Sequence, residues 1–448
     1  MSNCKKIGFS ELKRQGSAFF ILLLVLFSVI GCSQIAVPEG WSGGIIYEGS
    51  SNQEVLFIGS MDGLFLPLDK ATGDGFWCDE YIQTIHANDC ENNEDVIMWE
   101  DPLLLPYDKD SDDGNKFQRA IYGTPAISEG VIFVPVYDGQ ILAISLNSGD
   151  NLGSWPRTQF KDGDFVGGLL VRDGVLYVGG GDGKVYALNF TKDEDGDISF
   201  DQKWVFSEAT NKFWSSPEMF GDTLIIGSLD HNVYGIDAES GKRKWKFETD
   251  GAVASSAVVS DGVAYVGSFD GVFYAINATE GTEIWSFTGS SNWYWGKPVV
   301  SGNMVYAPSL DGSLYGLGIR DGELKWRAET KDAIVSSPAI VKDMIVFGST
   351  DGKLYIVDKV SGELLDECNI GEEIRTPIVA DEEAVYFGAK DRSIRAIRIK
   401  KIGRAEDDLW ESPHFTKDAV KFLIEKYDKG KTDRKKVTTR DEGWSGAC

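Results

Sequence analysis

The sequence has little of the chemistry on which most enzymes depend. Only three of its 448 residues are histidine, and His86, His231 and His414 lie far apart. Without a local motif spacing, they indicate neither a metal site nor a Ser-His-Asp arrangement. None of the six cysteines is adjacent to another, and no Cys-x-x-Cys-His motif exists for haem attachment. We therefore expect no catalytic residues.

Basic residues are also in deficit. The chain has 44 Lys and Arg against 70 Asp and Glu, a formal net charge of −26. Residues 1–31 carry four basic side chains and one acidic one, so the rest of the chain carries −29. This charge argues against a nucleic-acid partner, because such proteins present basic surfaces. It favours solubility, and it could attract cations or basic partners.

The N-terminal segment lacks the apolar length of a membrane-spanning helix. Residues 18–30 form a largely apolar run of 13 residues, whereas a spanning helix needs about 20. The run follows a basic start and ends in Val29-Ile30-Gly31-Cys32, which resembles a bacterial lipobox. Residues 1–31 are therefore predicted to be a lipoprotein signal peptide, with lipid (palmitate) on Cys32. An ordinary signal peptide or an uncleaved anchor is the alternative. Ser33 resembles the class sent to the outer membrane, if the cell has one.

What the sequence does contain is a repeat. One phrase, Tyr-Val-Gly-Ser-Phe-Asp-Gly at 265–271, returns in related form eight times, and its last five Asp residues are separated by 40, 41, 40 and 40 residues. Between residues 255 and 287, four β-prone runs are divided by Gly-containing turns, which predicts a four-stranded antiparallel meander. About 40 residues with four strands is typical of a propeller blade. The repeated aspartates are Asp62, Asp138, Asp182, Asp230, Asp270, Asp311, Asp351 and Asp391.

Eight copies predict an all-β fold, an eight-bladed β-propeller of four-stranded antiparallel blades over residues 32–413. A late Trp follows a Gly by four residues at Trp77, Trp245, Trp285 and Trp326, and we expect it to cover the seam to the next blade. The seventh copy has Asp366 instead. Whether the closing blade borrows a strand from the other terminus is open.

The repeat resembles that of the PQQ-like (quinoprotein-type) β-propeller family over roughly residues 42–410. The motifs that carry the resemblance are Ser336-Ser337-Pro338-Ala339, Val346-Phe347-Gly348-Ser349, Asp351-Gly352-Lys353-Leu354-Tyr355 and Gly241-Lys242-Arg243-Lys244-Trp245. The family contains quinoprotein dehydrogenases as well as non-enzymatic scaffolds, such as the BamB-like lipoproteins of outer-membrane assembly, which this chain resembles most. Family membership alone does not decide between them.

The resemblance implies a lipid-anchored scaffold of the cell envelope that binds envelope proteins, including a membrane-assembly barrel. No cofactor is expected under this interpretation. The alternatives are an oxidoreductase that binds PQQ and calcium, and a small-ligand sensor.

Two regions depart from the repeat. An acidic insertion at 79–118 interrupts the first and second blades and could be a binding loop or surface decoration. A basic tail at 414–448 could include a short helix. Outside the cytoplasm, Cys78 and Cys90 are expected to form a disulfide, and Cys368 and Cys448 could form another.

Four aromatic residues are candidates for ligand binding. Each precedes the start of a first strand by the same number of residues, so they would cluster at one mouth of the channel and could stack a planar ligand. Packing between first strands is the alternative. They are Trp41, Tyr122, Trp214 and Trp295.

One acidic run is a candidate calcium loop, because its oxygen-bearing residues alternate as in an EF-hand. However, Ile198 stands at the sixth position instead of Gly, and Trp204 at the twelfth instead of Glu. A solvated turn is the alternative. The candidate ligands are Asp193, Asp195, Asp197, Ser199 and Asp201.

Overall fold

The fold is taken from a computed structural model, which describes residues 42–48, 53–60, 63–71, 73, 99, 103–104, 120–156, 164–391, 393–399 and 405–411. All of these lie in one compact unit, Gly40–Cys448. Their regular structure consists of strands, with no helix among the described residues. The signal peptide, Trp41, the Cys78–Cys90 pair and the 414–448 tail lie outside the described residues.

The strands form eight four-stranded antiparallel sheets, so the prediction of an eight-bladed β-propeller is confirmed. Blade 1 contains β1 (Ile45–Glu48), β2 (Glu54–Gly59), β3 (Leu64–Asp69) and β4 (Leu103–Leu104). Blade 2 contains β5 (Ala126–Ser128), β6 (Val131–Val136), β7 (Gln140–Ser145) and β8 (Asn151–Trp155). Blade 3 contains β9 (Leu170–Arg172), β10 (Val175–Gly179), β11 (Val185–Lys192) and β12 (Ile198–Phe206). Blade 4 contains β13 (Glu218–Phe220), β14 (Thr223–Ser228), β15 (Asn232–Asp237) and β16 (Arg243–Glu248).

The second half of the ring repeats this plan. Blade 5 contains β17 (Val258–Ser260), β18 (Val263–Gly267), β19 (Phe273–Asn277) and β20 (Glu283–Phe287). Blade 6 contains β21 (Val299–Ser301), β22 (Met304–Pro308), β23 (Ser313–Gly318) and β24 (Leu324–Glu329). Blade 7 contains β25 (Ala339–Val341), β26 (Met344–Gly348), β27 (Lys353–Asp358) and β28 (Leu364–Asn369). Blade 8 contains β29 (Val379–Ala380), β30 (Ala384–Gly388), β31 (Ile394–Ile399) and β32 (Ala405–Glu411).

Part of the predicted insertion at 79–118 belongs to blade 1. Strand β4 pairs with β3, at Leu103 opposite Phe65, although residues 70–102 separate the two strands. The boundary is shifted because the fourth strand of blade 1 is delayed in the sequence. Residues 99 and 103–104, within the predicted insertion, are therefore part of the blade.

Each blade takes its four strands consecutively, so the described strands show no exchange between the termini at ring closure. Closure depends on side chains. Residues of blade 8, including Tyr386 and Ile394, share one core cluster with Leu56 and other residues of blade 1. The Lys70 ammonium bridges both blades, because it lies 2.9 Å from Glu54 and 2.9 Å from Asp381.

Tryptophans of the outermost strands cover the seams between blades, as predicted for Trp245. Its indole N–H donates to the carbonyl of Ala278 in blade 5 at 3.1 Å. The ring lies over Gly281, whose φ is +70° and where an added Cβ would be 2.5 Å from the ring. Glycine is therefore required there for both conformation and space. Trp285 is bonded to blade 6 in the same way.

Blade 1 uses a different tryptophan from the predicted Trp77, which lies outside the described residues. Trp99 is fully buried, donates to the Leu146 carbonyl of blade 2 at 3.1 Å, and packs on Gly149. Trp99 therefore covers this seam. It does not follow the Gly-to-Trp spacing of four because a long segment separates the third and fourth strands of blade 1.

The repeated Asp has a structural role. Asp270 accepts the N–H of Val272 at 2.8 Å, the Tyr274 hydroxyl at 2.9 Å, and the N–H of Asp250 from the preceding inter-blade loop at 3.0 Å. Asp230, Asp311 and Asp351 make the equivalent bond to an inter-blade loop. The repeated phrase thus fixes each turn to the loop beside it, and both lie at one end of the ring, which we call the loop face.

Candidate functional site

Three sets of equivalent positions build the loop face. We call the residue just before each repeated Asp the turn residue. We call a residue that precedes the first strand of the same blade the lead residue. In blades 2 to 8, the turn residue donates its backbone N–H to the carbonyl of the lead residue. The mouth residue stands two positions after the lead residue, at the channel entrance. In the order of blades 2 to 8, the lead residues are Ala120, Asp164, Lys212, Ala252, Trp293, Ala333 and Glu373. The turn residues are Tyr137, Gly181, Leu229, Phe269, Leu310, Thr350 and Lys390. The mouth residues are Tyr122, Val166, Trp214, Ala254, Trp295, Val335 and Arg375.

Four rings from three blades meet on this face and form what we call the aromatic stack: Trp214, Phe269, Trp293 and Trp295. Phe269 and Trp293 are nearly parallel, with ring centroids 4.6 Å apart at 9°. Phe269 also stacks on Trp295 at 5.5 Å, and Trp295 contacts Trp214 at 6.2 Å. Trp293 is 48% exposed, so the stack has one open face.

The structure brings together two of the four predicted mouth aromatics, Trp214 and Trp295. Tyr122 packs edge-on against Tyr137 instead, with centroids 5.1 Å apart. Trp214 and Trp295 meet because the mouth residue between them, in blade 5, is the small Ala254. Ligand binding at these aromatics stays a prediction.

Phe269 and Trp293 were missed in the sequence. The signal for Phe269 is its position directly before a repeated Asp. The signal for Trp293 is an aromatic residue at a lead position where the preceding and following blades have alanine, Ala252 and Ala333.

Below the stack, a charged pair crosses the channel. Lys297 of blade 6 and Glu218 of blade 4 lie 2.7 Å apart, although blade 5 stands between their two blades. A quinone cofactor with several carboxylates needs free cations. Of the cations at the described channel positions, Lys297 is paired with Glu218, and Arg375 is paired with Glu373 at 2.7 Å. PQQ binding stays a prediction.

The predicted calcium ligands lie in and beside the turn between β11 and β12, away from the loop face. The Asp193 carboxylate accepts the backbone N–H of Asp195 at 3.0 Å and of Asp197 at 2.9 Å, which closes the turn. Ser199 is bonded to Thr191 at 2.8 Å. In the part of the chain that the structure describes, no group of three or more His, Cys, Asp or Glu is arranged to hold a metal. Calcium binding stays a prediction.

A second feature of the loop face is a cavity of about 450 Å³ between blades 3 and 4, which we call the charged notch. The Lys212 ammonium lies 3.1 and 3.2 Å from the two oxygens of Asp164, and Lys184 lies 2.9 Å from Asp182. The notch is lined by Asp164, Gly181, Asp182, Gly183, Ala209, Thr210, Asn211 and Lys212.

Several predicted features cannot be placed. Cys32, Cys78, Cys90 and Trp41 lie outside the described residues. Cys368 is buried and disulfide-bonded, and its partner also lies outside them. No helix long and apolar enough to cross a membrane occurs within the described ranges.

The family model of the outer membrane protein assembly factor BamB matches residues 28–252 and 229–417. The BamB proteins of Escherichia coli and Yersinia pestis are 26% and 30% identical to the chain over 119 and 140 residues. The aligned parts cover 27% of the chain and 27% of the first protein, and 31% of the chain and 32% of the second. A quinohemoprotein alcohol dehydrogenase of Comamonas testosteroni is 24% identical over 142 residues, which are 29% of the chain and 20% of that enzyme.

Solved structures support the fold. BamB from Moraxella catarrhalis superposes with a TM-score of 0.58 at 15% identity, covering 81% of the chain and 98% of that protein. The computationally designed Ika8 protein superposes with a TM-score of 0.62 at 15% identity, covering 81% of the chain and 96% of that protein. Because the family model matches nearly the whole propeller, the chain belongs to the BamB family of PQQ-like β-propellers.

Proposed function

We propose that this protein is a lipid-anchored scaffold of the cell envelope that binds a protein partner in outer-membrane protein assembly. The observation that carries the proposal is the exposed aromatic stack on a rigid ring. Tryptophan is enriched among the residues that dominate binding energy at protein interfaces. Trp293 offers a large apolar surface whose position is already set by Phe269, so little side-chain entropy is lost on binding.

The composition of the surrounding loop supports the same interpretation. Residues 288–295 read Thr-Gly-Ser-Ser-Asn-Trp-Tyr-Trp and carry no charge, in a chain whose net charge is −26. Aromatic anchors among Ser, Gly and Asn are typical of binding loops that combine contact area with adaptable hydrogen bonds. The loop is therefore suited to a protein surface.

The loop is also held in place before any partner arrives. The Ser290 hydroxyl donates to Asp311 at 3.0 Å, and the Asn292 amide donates to the Leu310 carbonyl at 3.2 Å. The Leu310 N–H donates to the Trp293 carbonyl at 2.8 Å. These bonds tie both sides of Trp293 to the turn of blade 6.

The anchor and the location belong to the proposal. The lipobox-like segment ending at Cys32 supports acylation of that residue and attachment to a membrane, the outer membrane if the cell has one. Family membership supports an envelope partner such as a membrane-assembly barrel. The proposal assigns the chain no enzymatic chemistry.

Affinity capture from detergent-solubilised envelope tests the proposal. The native chain should retain a reproducible partner, and Trp293→Ala should lose it. Ile284→Ala is the matched control, because Ile284 is 46% exposed on β20, away from the stack. Equal capture by native and Trp293→Ala protein would contradict a role for the stack. Labelled palmitate incorporation that persists in Cys32→Ala would contradict the anchor.

A further inference from the structure

The same three positions hold aromatic groups in one part of the loop face and charges in another. In blade 5, Phe269 donates its N–H to the Ala252 carbonyl at 2.8 Å, and its ring fills the space beside Trp293. In blade 3, Gly181 donates to the Asp164 carbonyl, also at 2.8 Å. Glycine has no side chain to fill the equivalent space, and this space is the charged notch.

The carboxylates and the lysines of the notch differ in their exposure to solvent. The side chains of Asp164 and Asp182 are only 12% and 14% exposed, whereas those of Lys212 and Lys184 are 41% and 42% exposed. The two carboxylates are thus held in the wall, whereas the side chain of Lys212, which also lines the notch, is largely exposed. Because the Lys212 side chain is largely solvated, its ion pair is held less firmly than a fully buried one, and a better cation can replace it.

We propose that the charged notch receives an arginine side chain of a protein partner, which displaces Lys212 from Asp164. The planar guanidinium binds a carboxylate through two parallel hydrogen bonds, a geometry that the ammonium of lysine cannot provide. The net charge of −26 would attract a basic segment to this surface. The identification of the ligand as an arginine of a protein partner rests on the proposed scaffold function. The binding of a guanidinium group by the carboxylates of the notch does not depend on that function.

Glycine at position 181 is required for this site. A Cβ there would overlap the Asp164 carboxylate, although the backbone φ of Gly181 is not in the left-handed region. Gly181→Ala should therefore turn the carboxylate away and close the notch without straining the main chain.

The test measures binding of a capped, fluorescein-labelled peptide with three arginines spaced by glycine to the full chain, by fluorescence anisotropy. The same peptide with citrulline in place of arginine keeps the shape and removes the charge. We expect the arginine peptide to bind, and Asp164→Asn to weaken it by roughly tenfold, because a charge-assisted bond to a mostly buried acceptor is lost. Asp250→Asn, the same charge change on an exposed loop residue away from the notch, should change the affinity by less than about twofold.

Lys212→Met gives the second arm. It removes the internal competitor and should strengthen arginine binding several-fold, with the folded state of each variant checked by thermal melting. Equal weakening by Asp164→Asn and Asp250→Asn, or loss of binding in Lys212→Met, would overturn the proposal. Tighter binding of a glutamate peptide would also overturn it and indicate an anion site. If Trp293→Ala loses the captured partner but Asp164→Asn keeps it, the scaffold function stands and the notch proposal fails.

Discussion

The aromatic stack and the charged notch differ in chemistry but not in backbone. The turn residue donates to the lead residue through the same backbone hydrogen bond in both places, yet one region presents Phe269 and Trp293 and the other presents Gly181 and Lys212. The ring is thus a regular frame on which a few side chains decide what each sector can bind. Changes to the frame should alter stability, and changes at the three positions should alter binding.

The largest effect is expected for a tryptophan of the frame. Trp245→Ala empties a buried seam and removes the bond to Ala278, so it should lower the free energy of unfolding by about 3–5 kcal/mol. Trp293→Ala removes a ring that is half exposed and should cost less than about 1 kcal/mol. Chemical denaturation of both variants checks this, and equal losses would show that the two tryptophans have the same role.

Two lysines offer the next comparison. Lys70 is buried between Glu54 and Asp381 at the closing seam, and Lys70→Met should cost about 3 kcal/mol because Asp381 loses its cation. Lys212→Met at the open notch should cost less than about 1 kcal/mol. Urea unfolding of both variants is the measurement. A small loss for Lys70→Met would mean that apolar packing alone closes the ring.

The closing seam should also respond to pH. Burial opposes ionisation of Asp381, but hydrogen bonds from the Glu383 N–H and from Lys70 hold its pKa below the usual value. Its contribution to stability is therefore complete above the ordinary Asp pKa and is lost as the pH falls through the lowered one. Burial disfavours the charged form of Lys70, yet its hydrogen bonds with Glu54 and Asp381 raise its pKa. The contribution of Lys70 to stability is therefore complete below the ordinary Lys pKa, and it is lost as the pH rises through the raised pKa. Thermal melting of native and Lys70→Met protein against pH should show a smaller loss of stability in acid for the variant, because Asp381 then lacks one of the partners that lower its pKa.

A smaller loss of stability is expected from a change in the loop that carries the stack. Asp311 accepts bonds from Ser290, Ser291 and Tyr315, and Asp311→Ala should cost about 2 kcal/mol by leaving these donors unpaired. Burial opposes ionisation of Asp311, but these partners hold its pKa below the usual range, so the anchor is present above that range and is lost in acid. Limited proteolysis should cut the 288–295 loop faster in the variant. An unchanged cleavage rate would show that the loop does not depend on this carboxylate.

The smallest effect on stability is expected when residues of the aromatic stack are introduced into the charged notch. This exchange is also the most direct test of the comparison. The triple variant Asp164→Ala, Gly181→Phe, Lys212→Trp copies the residues of the stack into blades 3 and 4, and the first change removes the atoms that the new Cβ would meet. We expect a change in stability of less than about 1 kcal/mol, a new stacked pair in the near-ultraviolet circular dichroism, and loss of arginine-peptide binding. A large loss of stability would mean that the frame is not shared.

Much of the frame could be predicted because its signal is local. The repeated Asp makes most of its bonds within about twenty residues, and the seam tryptophans follow their turns at fixed spacing. The spacing failed at Trp99, where an insertion hides the fourth strand. The sites depend on contacts that spacing cannot reveal. Trp214 meets Trp295 because Ala254 between them is small, the notch opens because one turn residue is glycine, and Lys70 pairs with Asp381 from the other end of the chain.

Ring closure without strand exchange also has a consequence for folding during synthesis. Each blade is complete in one continuous stretch, so blades can form as the chain is synthesised, through contacts between residues near in sequence. Blade 1 is made first, yet the face formed by residues such as Leu56 is covered only when Tyr386 and Ile394 of blade 8 arrive. We therefore expect the nascent protein to expose this apolar surface until blade 8 has been made, and such surface favours aggregation during folding.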